Sequence, residues 1–239
     1  MTEDANNTLT LKVNGREYGG WLGASVSRSL DYCASAFNAV TTECWPGQDD
    51  PTRIRLGDFY RLHIGDDLVQ SGWIDGVNTS HSGSNLSIQV SGHSFTIDLV
   101  ECSAISDSGP LAFTKTNIRK LAEALARPYS VTVDCTIPDS ELAVIARCVP
   151  EVGETVFEVL DRYAKEQALL LTDNAQGHLV ITRPVDTIGC DLTHPGNILT
   201  SSLNASSSGL YSEIRCKAAR AADDENYGAS VHCTGTASD

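Results

Sequence analysis

The residues in this chain best equipped for chemistry lie together in GHSFTIDLVECSA, Gly92 to Ala104, where His93 and Ser94 precede Asp98 and Glu101. Two carboxylates are the minimum equipment of a glycosidase, and His, Ser and Asp are the inventory of a hydrolase triad. Spacing argues against both. If the segment is an extended strand, residues three apart and residues one apart point to opposite faces, so Asp98 and Glu101 diverge, and so do His93 and Ser94. No G-x-S-x-G elbow supports a nucleophilic serine. The six histidines at 63, 81, 93, 178, 194 and 232 are scattered, and no helix is expected to carry two at i, i+4. Asp58, Asp66, Asp67 and Asp75 lack the spacing and central glycine of a calcium loop and read as turn-forming and solubilising aspartates. The eight cysteines include no C-x-x-C pair and read as reduced, mostly buried thiols. No phosphate loop occurs, and the sequons at Asn78, Asn85 and Asn204 lack a secretory context. The sequence therefore predicts no enzyme, no catalytic residue, no cofactor and no metal site.

Composition narrows the classes further. A formal net charge of −14 opposes sequence-independent binding to nucleic acid, which needs clustered Lys and Arg. The longest apolar run, Ala168 to Leu171, is far too short to span a bilayer, so no membrane segment is expected. The start MTEDANNTLT is acidic where a secretory signal is basic and then apolar, which predicts intracellular synthesis without signal-dependent export. At 239 residues a large core is attainable without disulfide staples.

The elements that must position these residues change character along the chain. Leu9, Leu11 and Val13 alternate up to Asn14-Gly15, the dipeptide suited to a two-residue hairpin turn. A second hairpin is predicted where FYRLHIG and LVQSGWIDGV flank Asp66-Asp67, and Leu86, Ile88 and Val90 alternate after SHSGSN. VSRSLDYCASAFNAVTTE reads as strand, turn, strand despite its alanines. After Gly109-Pro110 the period switches: Thr116 to Arg127 is an amphipathic helix and YSVTVDC a short strand. Thr155 and Glu158 then have the spacing of a capping box at the head of a second helix, buried through Val156, Val159, Leu160, Tyr163 and Ala164. ALLLTDNAQGHLVITRP turns at Asn174 to Gly177 between two strands, Thr200 to Gly209 is a Ser- and Asn-rich linker, and YSEIRCKA is a further strand. The fold class expected is mainly β with a mixed α/β insert. Residues 1–105 are expected to form a small β-barrel domain, 106–189 an α+β middle domain, and 190–239 a linker and incomplete second β-barrel.

Three stretches also carry a resemblance. VSGHSFTIDLVECSA (Val90 to Ala104), PEVGETVFEVLDRYAKEQALLLTDNAQGHLVITRP (Pro150 to Pro184) and YSEIRCKA (Tyr211 to Ala218), with Gly19-Gly20-Trp21 ahead of VSRSLD, are similar to segments of the baseplate hub proteins of Mu-like contractile-tailed bacteriophages, in the same order. The resemblance implies a structural role in the virion tail baseplate. It implies a homotrimer with two similar barrels per subunit, forming a pseudo-sixfold ring. That ring joins the tail tube to the central spike and lets DNA pass during genome ejection. Partners would be the central spike protein, tail tube or tape-measure proteins and baseplate wedge proteins, with no specific nucleic-acid binding and synthesis in the host bacterial cytoplasm. Proteins of this type are longer, and the chain would end where the second barrel continues. An alternative rests on VPEVGETVFEVLDRYAKEQALLLT, which also resembles a LysM-type peptidoglycan-binding unit, although Gly153 for the turn and Thr155 for the cap have sufficient local reasons.

Overall fold

Asn14 and Gly15 both adopt positive φ, 51° and 78°, and close a two-residue turn between β1 (Leu9–Val13) and β2 (Arg16–Tyr18). That conformation matches the right-handed twist of the flanking strands. The hairpin is one end of a seven-stranded antiparallel sheet in the computed structural model. The sheet also contains β3 (Gly23–Ser27), β4 (Ala36–Thr41), β5 (Phe59–Ile64), β6 (Asp67–Ser82) and β7 (Asn85–Ser94), in the order β2-β1-β5-β6-β7-β4-β3. The structure describes residues 8–41, 54–82, 85–106, 111–184, 191, 193, 205–207, 211–219 and 231–238. The composition change at Gly109-Pro110, most of the linker at 200–209, Cys44, Cys190 and His194 lie outside them.

Bulges between Leu62 and His63 and between Ile74 and Gly76 add local twist, and the sheet curls into a half-barrel. Its concave face buries Leu11, Val13, Phe37, Tyr60, Leu62 and Val90, each a strand residue of the same alternation set. Phe37 meets Tyr60 edge-to-face with ring centroids 4.6 Å apart. Gly92 makes this possible: a Cβ there would stand 2.7 Å from the Phe37 ring and 2.8 Å from the Tyr60 ring. The strand-turn-strand reading of Val26 to Glu43 corresponds, as far as the described residues go, to β3 and β4, which pair from Gly23↔Val40 to Ser27↔Ala36.

After α1 (Ile97–Glu101), the insert comprises β8 (Phe113–Thr116), α2 (Ile118–Ala126), β9 (Val133–Cys135), β10 (Ile145–Cys148), α3 (Val156–Glu166), β11 (Leu170–Asp173) and β12 (Leu179–Thr182). Asn117 caps α2 by accepting the Lys120 N–H at 3.0 Å. The predicted capping box is present on α3: Thr155 Oγ1 accepts the Glu158 N–H at 3.2 Å, and the Glu158 carboxylate accepts the Thr155 N–H at 2.9 Å. The helices pack Leu121, Leu125, Val156, Val159 and Leu160 against Leu179 and Ile181 of a three-stranded sheet, β11-β12-β9. At about 1.5–3 kcal/mol for each large apolar side chain removed from water, this is the main stabilisation of the insert.

Contacts divide the chain into two units, Met1–Asp186 and Thr187–Asp239. Within the second, β13 (Glu213–Ala219) pairs with β14 (His232–Ser238) over seven residues each, and every residue of both strands is exposed. A lone two-stranded hairpin is marginal in water.

Candidate functional site

Strand alternation separates the opening residues as geometry requires. His93 hydrogen-bonds through Nδ1 to the Asp75 carboxylate on the outer face of the half-barrel, where Ser91 Oγ donates to the same carboxylate at 3.1 Å. Ser94 points the other way and is fully buried. Its Oγ accepts the Ser35 N–H at 3.1 Å and lies 2.7 Å from Thr96 Oγ1, which donates to the Cys33 carbonyl at 2.6 Å. Histidine and serine share no hydrogen bond, and each already serves a different neighbour.

The two carboxylates require a correction. The strand ends at Ser94, and Ile97–Glu101 form the single helical turn α1, closed by the Cys102 N–H on the Asp98 carbonyl at 3.0 Å. Asp98 and Glu101 therefore lie at i, i+3 on one side of a helix rather than on opposite faces of a strand. Burial, and then the charge of Glu101, hold the Asp98 carboxyl above its ordinary range. The same turn redirects Leu99. It lies fully buried in the core of the insert with Val156, Val159 and Leu160.

What the segment does is join two bodies, and the joint has a polar centre that sequence reasoning did not find. Asn174 Oδ1 accepts the N–H groups of Gln176 and His178, each at 3.0 Å, and with the backbone bonds Asn174 N–H to His178 O and Gly177 N–H to Asn174 O closes the β11–β12 turn. This leaves Asp173, the last residue of β11, free to aim its side chain, which is wholly buried, at the loop between β3 and β4. Its Oδ2 accepts the Ser35 N–H at 3.1 Å and also the Ser35 hydroxyl, and its Oδ1 faces Arg28 Nε at 3.2 Å. Arg28 in turn donates to the Val69 carbonyl of β6 at 3.2 Å, so one guanidinium ties sheet, loop and insert.

Apolar contacts surround this centre. The loop sends Cys33 into the insert's core, where burial pushes its thiol pKa up to about 12, and it rests Tyr32 against Phe157, ring centroids 5.8 Å apart. From the other side, the β11–β12 turn reaches the sheet: Ser71 Oγ donates to the Ala175 carbonyl at 3.0 Å. Gly177, at φ 80°, leaves so little room that a Cβ would stand 2.6 Å from the Phe95 ring and 2.8 Å from the Ser71 carbonyl oxygen. Phe95 is itself stacked on Phe59 at 5.7 Å and edge-on to Trp73 at 5.1 Å. The side chains of this joint are directed at one another rather than into an open cleft.

Elsewhere, Asp58 accepts the Arg55 N–H at 2.8 Å, in keeping with a turn-forming role, and no cluster of three metal-ligating side chains occurs among the described residues. Of the cysteines described, Cys33 and Cys148 are buried, Cys102 and Cys135 are half-buried, and Cys216 and Cys233 are exposed; all are free thiols. Gly153, at φ 86°, and the capping box account locally for the Gly-Glu-Thr turn, and the strands on either side of α3 belong to different sheets, β10 with β8 and β11 with β12. Among the described residues no helix is long and apolar enough to cross a membrane.

Comparison with known proteins matches both sides of the joint to one kind of protein. Residues 8–94 match the family described as Mu phage baseplate assembly protein GpP-like, N-terminal, and residues 96–183 match baseplate hub protein gp44-like, second domain. The chain is 31% identical over 240 residues to the baseplate hub protein gp44 of Escherichia phage Mu. The chain belongs to the Mu-like baseplate hub protein family. The two matches meet at Phe95, the residue on which Gly177 packs. The alignment with the Mu hub protein covers 98% of this chain and 62% of that relative's length. Among solved structures, the 43 kDa tail protein of prophage MuSo2 from Shewanella oneidensis superposes with a TM-score of 0.82 at 29% identity, covering 98% of this chain and 69% of that one. The tail protein from Neisseria meningitidis MC58 shares the fold, with a TM-score of 0.69 at 20% identity over 87% of this chain and 63% of that one. The joint is therefore the seam between the first two domains of a hub-family protein.

Proposed function

We propose that this hub-family chain works by assembly rather than catalysis. Three copies form a ring with two barrels per subunit, joining the tube of a contractile tail to the central spike and leaving a channel for DNA. Tail tube or tape-measure proteins and baseplate wedge proteins are the other neighbours, in the baseplate of a virion whose proteins are made in the host bacterial cytoplasm.

The observation that carries this reading is the buried joint at Asp173, which fixes the consecutive hub domains to each other through a carboxylate with no exposure to solvent. A part that bears load between a tube and a spike needs domains that do not swing. The net charge of −14 is compatible with a passage for DNA, because a lumen that bound phosphate tightly would impede ejection. The β13–β14 hairpin, exposed along its whole length, supports completion of a second barrel in the whole protein.

Light scattering on the full-length protein at micromolar concentration tests the reading. A mass three times that of the subunit is expected, with a heavier complex on adding spike or tube protein. A monomer at every concentration that binds neither would overturn it.

A further inference from the structure

Among the described residues the seven-stranded sheet ends at β2 on one side and at β3 on the other, and the two strands are built differently. Among the described residues no strand pairs with the outer side of β2 or of β3. β2 is three residues long, and it carries Arg16 and Glu17, the latter paired with Lys12 at 2.7 Å. Short length and charge are the usual means by which a protein keeps a free strand edge from pairing with another chain. β3 has neither. It runs for five residues, GASVS, of which Gly23, Ala24, Ser25 and Ser27 are exposed, with no charge, no proline and no bulge in its pairing with β4.

The sheet behind β3 continues the contrast. Residues 23–27, 36–41, 76–82 and 85–94, which make β3, β4, β7 and the distal part of β6, contain no Asp, Glu, Lys or Arg in a chain that is 20% charged. Lys12, Arg16, Glu17, Arg61, Asp67 and Asp75 all lie in the other half of the sheet. The distal part of β6 is exposed from Asn78 to His81, so the missing charge is not explained by burial.

We infer that the outer edge of β3 is the seam at which a strand from a second copy of this chain adds to the sheet, with the uncharged half of the sheet turned toward that copy. Two copies that each carry a net charge of −14 repel one another over most of their surface, and the contact falls where neither presents charge. A basic partner would be drawn to the acidic remainder, not to this neutral strip. Backbone N–H and C=O groups along β3 supply the affinity, and small side chains let the strands approach. The inference rests on the ring proposed above and locates one of its contacts.

The test uses the full-length protein in sedimentation velocity over a range of concentrations, comparing the parent with Ser25→Glu/Ser27→Glu and with Arg16→Glu at the protected edge. Like charge set against a neighbouring acidic copy should weaken association of the β3 variant about tenfold or more, while Arg16→Glu assembles as the parent does and both melt with it. Equal assembly by the β3 variant, or an equal loss in Arg16→Glu, would overturn the seam and leave the ring standing. A parent that never associates would overturn the ring and the seam together. Should the β3 variant melt early, hydrogen exchange of the parent decides: amides of residues 23–27 that slow on assembly support the seam, and amides that do not change refute it.

Discussion

Replacing Asp173 by alanine removes the acceptor for the Ser35 N–H and hydroxyl and the ionic partner of Arg28, whose side chain stays in contact with water. Leaving a buried donor such as those of Ser35 without its acceptor costs about 1–3 kcal/mol, because a polar group desolvated by folding loses its compensation. Arg28→Ala is the informative counterpart. The Arg28 side chain is 46% exposed, so water can enter where it leaves, and the carboxylate keeps both bonds from Ser35. That change should cost about 0.2–1 kcal/mol, the scale of an ion pair with one partner open to water. Urea unfolding monitored by tryptophan fluorescence gives both values, and Trp73, which touches Phe95, reports on the seam. Asp173→Ala is expected to bring an earlier loss of the seam, seen as a second transition or a reduced slope. A cost below about 1 kcal/mol for Asp173→Ala, or a larger cost for Arg28→Ala, would refute the claim that this carboxylate holds the joint.

Other substitutions probe the same region. Gly177→Ala combines a positive φ with a collision against Phe95 and the Ser71 carbonyl, and should lower stability by about 1–3 kcal/mol, measured by the same unfolding curve. Leu99→Ala should cost about 2–5 kcal/mol and destabilise the insert in hydrogen exchange, not only the half-barrel, because Leu99 packs among α3 residues. Asp98→Asn should raise the melting temperature at pH 7. Its carboxyl titrates above the ordinary range, so the native state holds the proton more tightly than the unfolded chain, and ionisation at neutral pH lowers stability. Stability from this group therefore grows as pH falls, and the advantage of the amide should vanish below the ordinary aspartate value of about 3.9.

Local chemistry was legible where its cause is local. Asn14-Gly15 specifies its turn by backbone conformation alone, Thr155 and Glu158 cap their helix through a contact between residues close in sequence, and Ile118, Leu121 and Leu125 declare their face by spacing. The turn α1 was misread as strand because Ile97, Leu99 and Val100 fit either period and one helical turn is too short to decide between them. Asp173 escaped for another reason. In TDNAQG it reads as one more turn residue, yet its partner Ser35 lies 138 positions away, and only the folded chain brings them together. Cys33 likewise belongs to a strand connection in sequence and to the insert's core in space.

Electron cryomicroscopy of baseplates containing the full-length protein tests the central claim most directly. The account predicts three copies in a ring between tube and spike, each with its half-barrel and insert joined as at Asp173. Baseplates in which the protein is absent, or present away from the junction of tube and spike, would contradict it.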